Sequence, residues 1–264
     1  MARFQVVIPN LNQGAFVGEA IASVLAQPSV DVQVVVVDGG STDNSLTEIV
    51  QAIGSDNRAT VISEPDRGQS DAINKGARLG DGEIVSWLNA DDRLLAGSLA
   101  RIERAFASAD EAVVAIYGDV RYINENGDVI STWREQDFDR RDLLWGPGYI
   151  PQPSTFVRRW AWDRCSGVRE DLHYVMDMDL WIRLSREGQF LHLPEVLSEF
   201  RWHATSKTIA SALAMHKEAM EIKREHGALE LGRVPPMLEV NLRNLAVRAR
   251  RRITFRFRGL GTEK

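Results

Sequence analysis

Cysteine is nearly missing from the 264 residues: Cys165 stands alone, so no internal disulfide closes the fold and a stapled small scaffold is excluded. A single thiol fits a reducing compartment, with burial as its expected place. Long apolar runs are missing as well. No stretch approaches the roughly 20 apolar residues a membrane-spanning helix needs. The N-terminal Met-Ala-Arg-Phe leads straight into Gln5-Val6-Val7-Ile8-Pro9 without the apolar core of a signal peptide. There is no internal repeat and no low-complexity segment. Basic residues are not in excess: 32 Lys and Arg against 37 Asp and Glu give a net charge of −5, which argues against a general nucleic-acid binder. A hydrophobic share of 44% with 26% charged residues excludes wholesale disorder and fits one main folded α/β domain with a tail, on the cytoplasmic side.

What is present is a rhythm. Gln5 to Ile8 reads as a strand, and Val17, Ala20, Ile21, Val24 and Leu25 form the stripe of a helix over Phe16 to Ala26. Val32 to Val37 has the apolar character of a buried parallel strand. Leu46, Ile49, Val50 and Ile53 mark a second helix, capped from within Ser41-Thr42-Asp43. Thr60 to Ser63, Ser70 to Leu79 and Glu83 to Leu88 then predict strand, helix and strand, with Gly80 ending the helix. Such alternation implies a Rossmann-like, mostly parallel sheet flanked by helices.

After a helix over Ala96 to Ala107 the pattern turns mixed α+β. Val113 to Tyr117, Val120 to Ile123 and Val129 to Trp133 read as strands, the last two joined by Asn124-Glu125-Asn126-Gly127. Met178 to Arg186 predicts a helix, Phe190 to Leu193 and Val196 to Trp202 strands, and Thr208 to His226 a long helix. Beyond Pro235-Pro236, seven arginines and no acids lie between Arg243 and Arg258, interleaved with Leu245, Val247, Ile253, Phe255 and Phe257. That basic tail suits an anionic membrane surface, against the plainer alternative of a terminal helix packed on the domain.

In an open parallel sheet, ligands gather beyond the carboxyl ends of the strands. Asp38 ends an apolar strand there, and the glycines of Asp38-Gly39-Gly40-Ser41-Thr42-Asp43 let backbone approach a ligand. Asp43 alone reads equally well as a turn and cap residue. Glu64 to Asp71 places Arg67 beside a helix start, an arrangement suited to diphosphate. Trp87-Leu88-Asn89-Ala90-Asp91-Asp92 ends a strand with paired acids, which resist joint ionisation unless a hard cation shares them.

Together these segments resemble family 2 glycosyltransferases of the GT-A fold, over residues 4 to 210. The resemblance rests on Val-Val-Asp-Gly-Gly-Ser-Thr-Asp, Asp-Arg-Gly-Gln-Ser-Asp-Ala-Ile-Asn-Lys-Gly and Asn89-Ala90-Asp91-Asp92. Further support comes from Gln152-Pro153-Ser154-Thr155-Phe156, Met176-Asp177-Met178-Asp179-Leu180-Trp181 and Phe200-Arg201-Trp202-His203, all in family order. It implies an inverting transferase that moves a sugar from a nucleotide-diphosphate donor to a glycan or glycolipid acceptor, with Mn2+ or Mg2+. It also implies a donor-binding half over 1–110, an acceptor and catalytic half over 111–210, and a helical extension with its basic tail over 211–264.

By the same resemblance, Asp38 contacts the nucleobase, within a donor surface of Pro9, Asn10, Asn12, Gly40, Ser41, Asp66, Arg67, Gln69, Asp71, Asn74, Lys75, Asn89 and Ala90. Asp91 and His203 hold the metal, and Arg201 and Lys207 face the leaving diphosphate. Asp177 is the base; Asp179 either orients it or replaces it. Asp92, Gln152 and Trp181 face or orient the acceptor. Asn89 stands where the family usually has an aspartate, and Met176 where an acid often precedes the base. These departures keep a catalytically inactive nucleotide-sugar-binding or scaffold protein as the alternative. A sugar nucleotidyltransferase is a weaker rival, because Pro9-Asn10-Leu11-Asn12-Gln13-Gly14 lacks a glycine-rich phosphate loop with a nearby cation. His173 is placed near donor or acceptor, while His192, His216 and His226 are read as structural. The tryptophans 145, 160, 162, 181 and 202 are read mainly as core, with one exposed ring available to stack on a sugar. Neither the sugar nor the oligomeric state is legible.

Overall fold

The computed structural model describes residues 2–145, 150–203 and 211–228. Lys207 and the arginine-rich tail lie outside the described residues. Four parallel strands form the first half of the sheet: β1 (Arg3–Asn10), β2 (Asp31–Asp38), β3 (Ala59–Ser63) and β4 (Ile84–Trp87), in the order β3-β2-β1-β4. Helices α1 (Val17–Leu25), α2 (Ser45–Ile53) and α3 (Gln69–Arg78) join them. The chain winds away from β1 in both directions, so the carboxyl ends of β1 and β4 flank a topological switch point. The register sets Asn10 beside Asp38 and Asp38 beside Ser63, which puts three polar strand ends on one edge.

Beyond β4 the sheet continues with both strand senses. It is extended by β5 (Arg93–Leu94), β6 (Val113–Ile123), β7 (Val129–Trp133), β8 (Thr155–Arg158) and β9 (Gln189–Arg201). β8 lies antiparallel between β4 and β6, β9 runs parallel to β6, and β5 and β7 pair antiparallel with β9 and β6. The remaining helices are α4 (Ser98–Ser108), α5 (Arg140–Trp145), α6 (Arg159–Arg164), α7 (Met176–Glu187) and α8 (Ala212–Glu225). One apolar core fills the face under α1, α2 and α4. A second fills the opposite face under α3, α6 and α7, and Ile222 of α8 adds to it.

Several expectations change. The expected strand pairs 113–117 with 120–123 and 190–193 with 196–202 are each one continuous strand. Register shifts near Gly118 and Asp119 absorb the irregularity that Gly118 and Pro194 suggest in sequence. β5 and β8 were not foreseen, being short and legible only through their partners. Trp160 and Trp202 are 43% and 44% exposed instead of core. The Arg164 guanidinium lies over the Trp160 ring, and Trp202 stands past the end of β9 against Tyr122. Leu46 and Val50 are exposed because α2 buries only Ser45 and Ile49. Cys165 is half-buried, and its thiol is pushed up by that burial.

Helix α3 lies tight on the sheet. The Gln5 amide donates to the Gly76 carbonyl at 2.6 Å, and a Cβ at Gly76 would sit 2.3 Å from Val7 Cγ1 and 3.2 Å from Val37 Cγ2. Gly76→Ala is therefore expected to cost about 2 kcal/mol, since overpacking outweighs the gain in helix propensity. Urea unfolding checks this; an unchanged midpoint would show that the helix lifts freely.

Candidate active site at the strand ends

The centre of the site is Asp38, fully buried at the end of β2. Its carboxylate accepts from Asn10 Nδ2 at 2.7 Å, Ser41 Oγ at 2.5 Å and Ser63 Oγ at 2.8 Å. The Gly40 and Ser41 N–H groups donate to it at 3.2 and 3.1 Å. Burial pushes the acid up, but the donors together outweigh it and hold the carboxyl below its ordinary value. Gly40 takes φ +86°, a left-handed conformation that turns these amides inward. Asn12, also left-handed at φ 53°, locks the β1 loop to the β2 loop: its Oδ1 accepts the Thr42 N–H at 2.8 Å, and its own N–H donates to Ser41 Oγ at 2.8 Å. Asp43 accepts from the Gly14 and Ser45 N–H groups, both at 2.9 Å, so it clasps the β1 loop to the start of α2, whose N-cap is Asn44 instead of a residue of 41–43. Pro9 and Asn10 are buried, and Asn10 Oδ1 has no partner among the described residues.

The β3 loop closes against this cluster. Asp66 lies so near Gly39 that a Cβ there would be 2.5 Å from Asp66 Oδ2, and Asp66 Oδ1 accepts the Gly68 N–H at 2.8 Å. The exposed Arg67 side chain pairs with Asp71 at 3.0 Å and with Glu170 at 2.6 Å. Lys75 bridges Glu64 at 3.1 Å and Asp71 at 3.4 Å. Arg67, then Lys75, holds the Asp71 carboxyl down at about 2. Asn74 is placed differently from the open donor surface: its amide exchanges two hydrogen bonds with the Val168 backbone, at 2.8 and 3.1 Å, and is buried. Gln69 reaches Asn89 at 2.8 Å, and Asn89 donates to Asp92 at 3.2 Å. This chain ties the start of α3 to the end of β4.

The two acids after β4 part in role. Ala90 and Asp92 are buried, and the Asp92 carboxyl is pushed well above its ordinary value by burial and by the neighbouring Asp91 charge. Asp92 accepts the Arg201 N–H at 2.9 Å, which fastens β9 to this corner. Asp91 turns its carboxylate to His203 Nε2 at 2.9 Å. Arg201, expected at the leaving group, is 1% exposed and serves the protein: Asp91 O at 2.9 Å, Glu125 O at 2.7 Å and Glu19 at 2.6 Å. Its guanidinium also covers the Phe16 ring. No group of three or more acidic, histidine or cysteine ligands assembles among the described residues.

On the other side of β4, Gln152 Nε2 donates to the Trp87 carbonyl at 2.6 Å, and the fully buried Trp181 ring stacks on Trp87 at 5.6 Å. These two residues form the floor behind the strand end. Gln152 Oε1 has no partner among the described residues. In the first turn of α7, Asp177 is partly enclosed. Burial chiefly, with the Glu218 charge, pushes it up to about 6 against the pull of the Met178 N–H. Asp179 is fully buried between Arg183 at 2.7 Å and His226 at 2.9 Å.

The glycosyl transferase family 2 model matches residues 5–164 of this chain. The chain belongs to that family. Among relatives, the chondroitin synthase of Pasteurella multocida is 26% identical over 205 residues, 77% of this chain but 21% of the synthase. This chain thus spans about a fifth of that relative's length. An uncharacterized glycosyltransferase of Nostoc is 29% identical over 85% of this chain and 72% of its own length. Two solved structures share the GT-A architecture. S. aureus TarS 1-349 in complex with UDP-GlcNAc has TM-score 0.68 and 16% identity, over 90% of this chain and 69% of that one. The mannosyltransferase PcManGT of Pyrobaculum calidifontis, with GDP-Man and Mn2+, has TM-score 0.64 and 19% identity, over 89% and 66%.

For a family 2 member, the sequence found the strand-end polar residues and missed their partners. Glu19 on α1, Glu170 after α6 and Glu218 on α8 are ordinary surface acids in the sequence, and no local pattern marks them. Asp71→Asn is expected to destabilise the protein at pH 7 by about 1–2 kcal/mol, because Arg67 and Lys75 lose their charged partner. The folded Asp71 titrates below its unfolded value near 3.8, so its contribution is present above that value and lost as pH falls toward about 2. The gap between variant and parent in chemical denaturation should close over that window. A constant gap would assign the loss to packing.

Proposed function

We propose that the chain transfers a sugar from a nucleotide-diphosphate donor to a hydroxyl of a saccharide or lipid-linked acceptor, with inversion at the anomeric carbon. The observation that carries this is the meeting, on one sheet edge, of the buried Asp38 cluster with the Asp91–His203 pair. The first is a preorganised cluster whose internal hydrogen bonds fix the loops after β1 and β2 as a frame for a base or ribose. The second is a carboxylate and imidazole set suited to a divalent cation that completes its shell with diphosphate and water oxygens. When bound, such a cation offsets charge on the leaving nucleoside diphosphate. The donors named with the two structural neighbours, and the Mn2+ named with one, support the reading.

Asp177 is the base. Its carboxylate takes the proton of the acceptor hydroxyl as that oxygen bonds to the anomeric carbon and the bond to the diphosphate oxygen breaks. A carboxyl titrating at about 6 is a better proton acceptor than an ordinary aspartate and is still ionised at neutral pH. Asp179 orients α7 through its bond to His226, at the end of α8. The division into a donor half over 1–110 and an acceptor half over 111–210 goes with these roles. No helix among the described residues is long and apolar enough to cross a membrane. A peripheral position, through the basic tail, suits a lipid-linked acceptor; salt-sensitive co-sedimentation of the full chain with anionic vesicles tests it, and equal recovery with neutral vesicles would count against it.

A screen of nucleotide sugars for metal-stimulated turnover tests the activity and separates an enzyme from an inactive donor-binding protein. Asp91→Asn should lose metal-dependent nucleotide binding while the fold persists. Asp177→Asn should keep donor binding and lose about 10²–10⁴-fold in kcat. The parent rate should rise with pH through about 6 and level above it, since the base must be ionised. The sign for stability is opposite. A folded acid raised above its unfolded value near 3.8 favours folding most below that value, and this advantage is lost as pH rises through about 6. Asp177→Asn should therefore stabilise the protein at pH 8, by on the order of 2 kcal/mol. A destabilised variant, or one with full turnover, would remove Asp177 from the role.

A further inference from the structure

The helix that bears the proposed base begins without a cap of its own. Val175 is the N-cap residue of α7, and its side chain makes no capping hydrogen bond. The acceptor comes from elsewhere in the chain. Glu218 Oε1 accepts the His173 N–H at 2.9 Å, and Glu218 Oε2 accepts the Tyr174 and Val175 N–H groups at 2.6 and 2.9 Å. Three consecutive amides thus converge on one carboxylate at the positive end of α7, where a negative charge is stabilised by the helix dipole and by each donor. Asp177 lies two residues beyond the last of them.

Glu218 is itself held in place. Ile222, one turn on in α8, is buried in the core beneath α7, and Met215 and Ala219 pack against the same cluster. The end of α8 is fastened a second time: Glu225 pairs with Arg169 at 2.6 Å, and His226 bonds to the buried Asp179 at 2.9 Å. The Trp145 indole donates to the Ala228 carbonyl just beyond. Helix α8 and its C-cap therefore hold both acids of the first turn of α7, Asp177 through the backbone that precedes it and Asp179 directly. Both helices lie outside the stretch that matches the family model, residues 5–164.

We infer that Glu218 is a positioning residue for sugar transfer, holding the 173–175 backbone so that Asp177 is presented to the acceptor hydroxyl. The inference rests on the reading of Asp177 as base. Glu218 touches neither donor nor acceptor in this role; it acts on the rate through the direction of α7. Its negative charge near Asp177 also favours the protonated carboxyl, which adds to the proton affinity the base needs.

The experiment is a double-mutant cycle of Glu218→Ala and Asp177→Asn in the full chain, with Glu218→Gln as the near-isosteric companion. The assay uses the nucleotide sugar that the screen finds turned over. Glu218→Ala should lower kcat by at least about tenfold while the donor KM stays within about twofold. In the Asp177→Asn background the same change should remove no further activity, because the two residues act as one unit. Glu218→Gln keeps one carbonyl acceptor and should lose less; if Glu218→Ala does not fold, this variant decides by the same criteria. Parental kcat, or a loss that adds fully to that of Asp177→Asn, overturns the inference. An Asp177→Asn enzyme that keeps its rate sinks the base reading and the inference with it. Inactive Asp177→Asn beside a fully active Glu218→Ala sinks the inference alone.

Discussion

Asp38 is a carboxylate buried at the end of an apolar strand, and the arrangement of the loops beyond β1, β2 and β3 follows from what that charge requires. An ionised group shielded from water must find donors within the protein. Here they come from the end of β1, from the loop after β2 and from the end of β3. Each loop is thereby fixed relative to its neighbours before any ligand arrives. Asn12 and Gly40 in left-handed conformations, and Gly39 pressed on Asp66, are the backbone consequences of packing three polar turns around one acid.

The same economy recurs across the switch point. Arg201 spends its guanidinium on the Asp91 carbonyl, the β6–β7 turn and Glu19, joining the last strand of the sheet to the first helix. Asp92 is buried under that join, and the partly exposed Asp91 pairs with the buried His203 beside it. Arg201 thus assembles the corner that carries the acids. Asn74 was similarly taken up by the backbone of Val168, and Trp181 by Trp87. Residues that resemble a binding surface in sequence order are divided by the fold into those that build the wall and those that face outward.

Helix α8 makes a similar join. Glu218, Ile222 and Glu225 of α8, with His226 just after it, meet the segment from Arg169 to Asp179, so residues 211–228 pack against the start of α7. Burial chiefly, with the Glu218 charge, raises Asp177 at this contact, and His226 bonds to the buried Asp179 there. An acid kept partly enclosed beside another acid is costly to the fold in the pH range where it is ionised.

The sequence by itself determined the alternation of β1 to β4 with α1 to α3, because apolar runs of strand length and 3.6-residue stripes are local patterns. It also determined that Asp38 and Asp91 fall at strand ends, since an acid interrupting an apolar pattern is visible without any partner, whereas Asp177 and Asp179 were marked by the family resemblance. Only the tertiary structure decided that β8 enters antiparallel beside β4, that β6 and β9 run unbroken through Gly118 and Pro194, and that Trp160 and Trp202 stay at the surface. It alone decided that Arg201 and Asn74 are structural while Glu19, Glu170 and Glu218 are partners of the site. The physical reason is range. Propensity and periodicity act over a few residues, whereas the hydrogen bonds that give these side chains their roles join positions far apart in the chain, such as Arg201 to Glu19 and Glu218 to Val175.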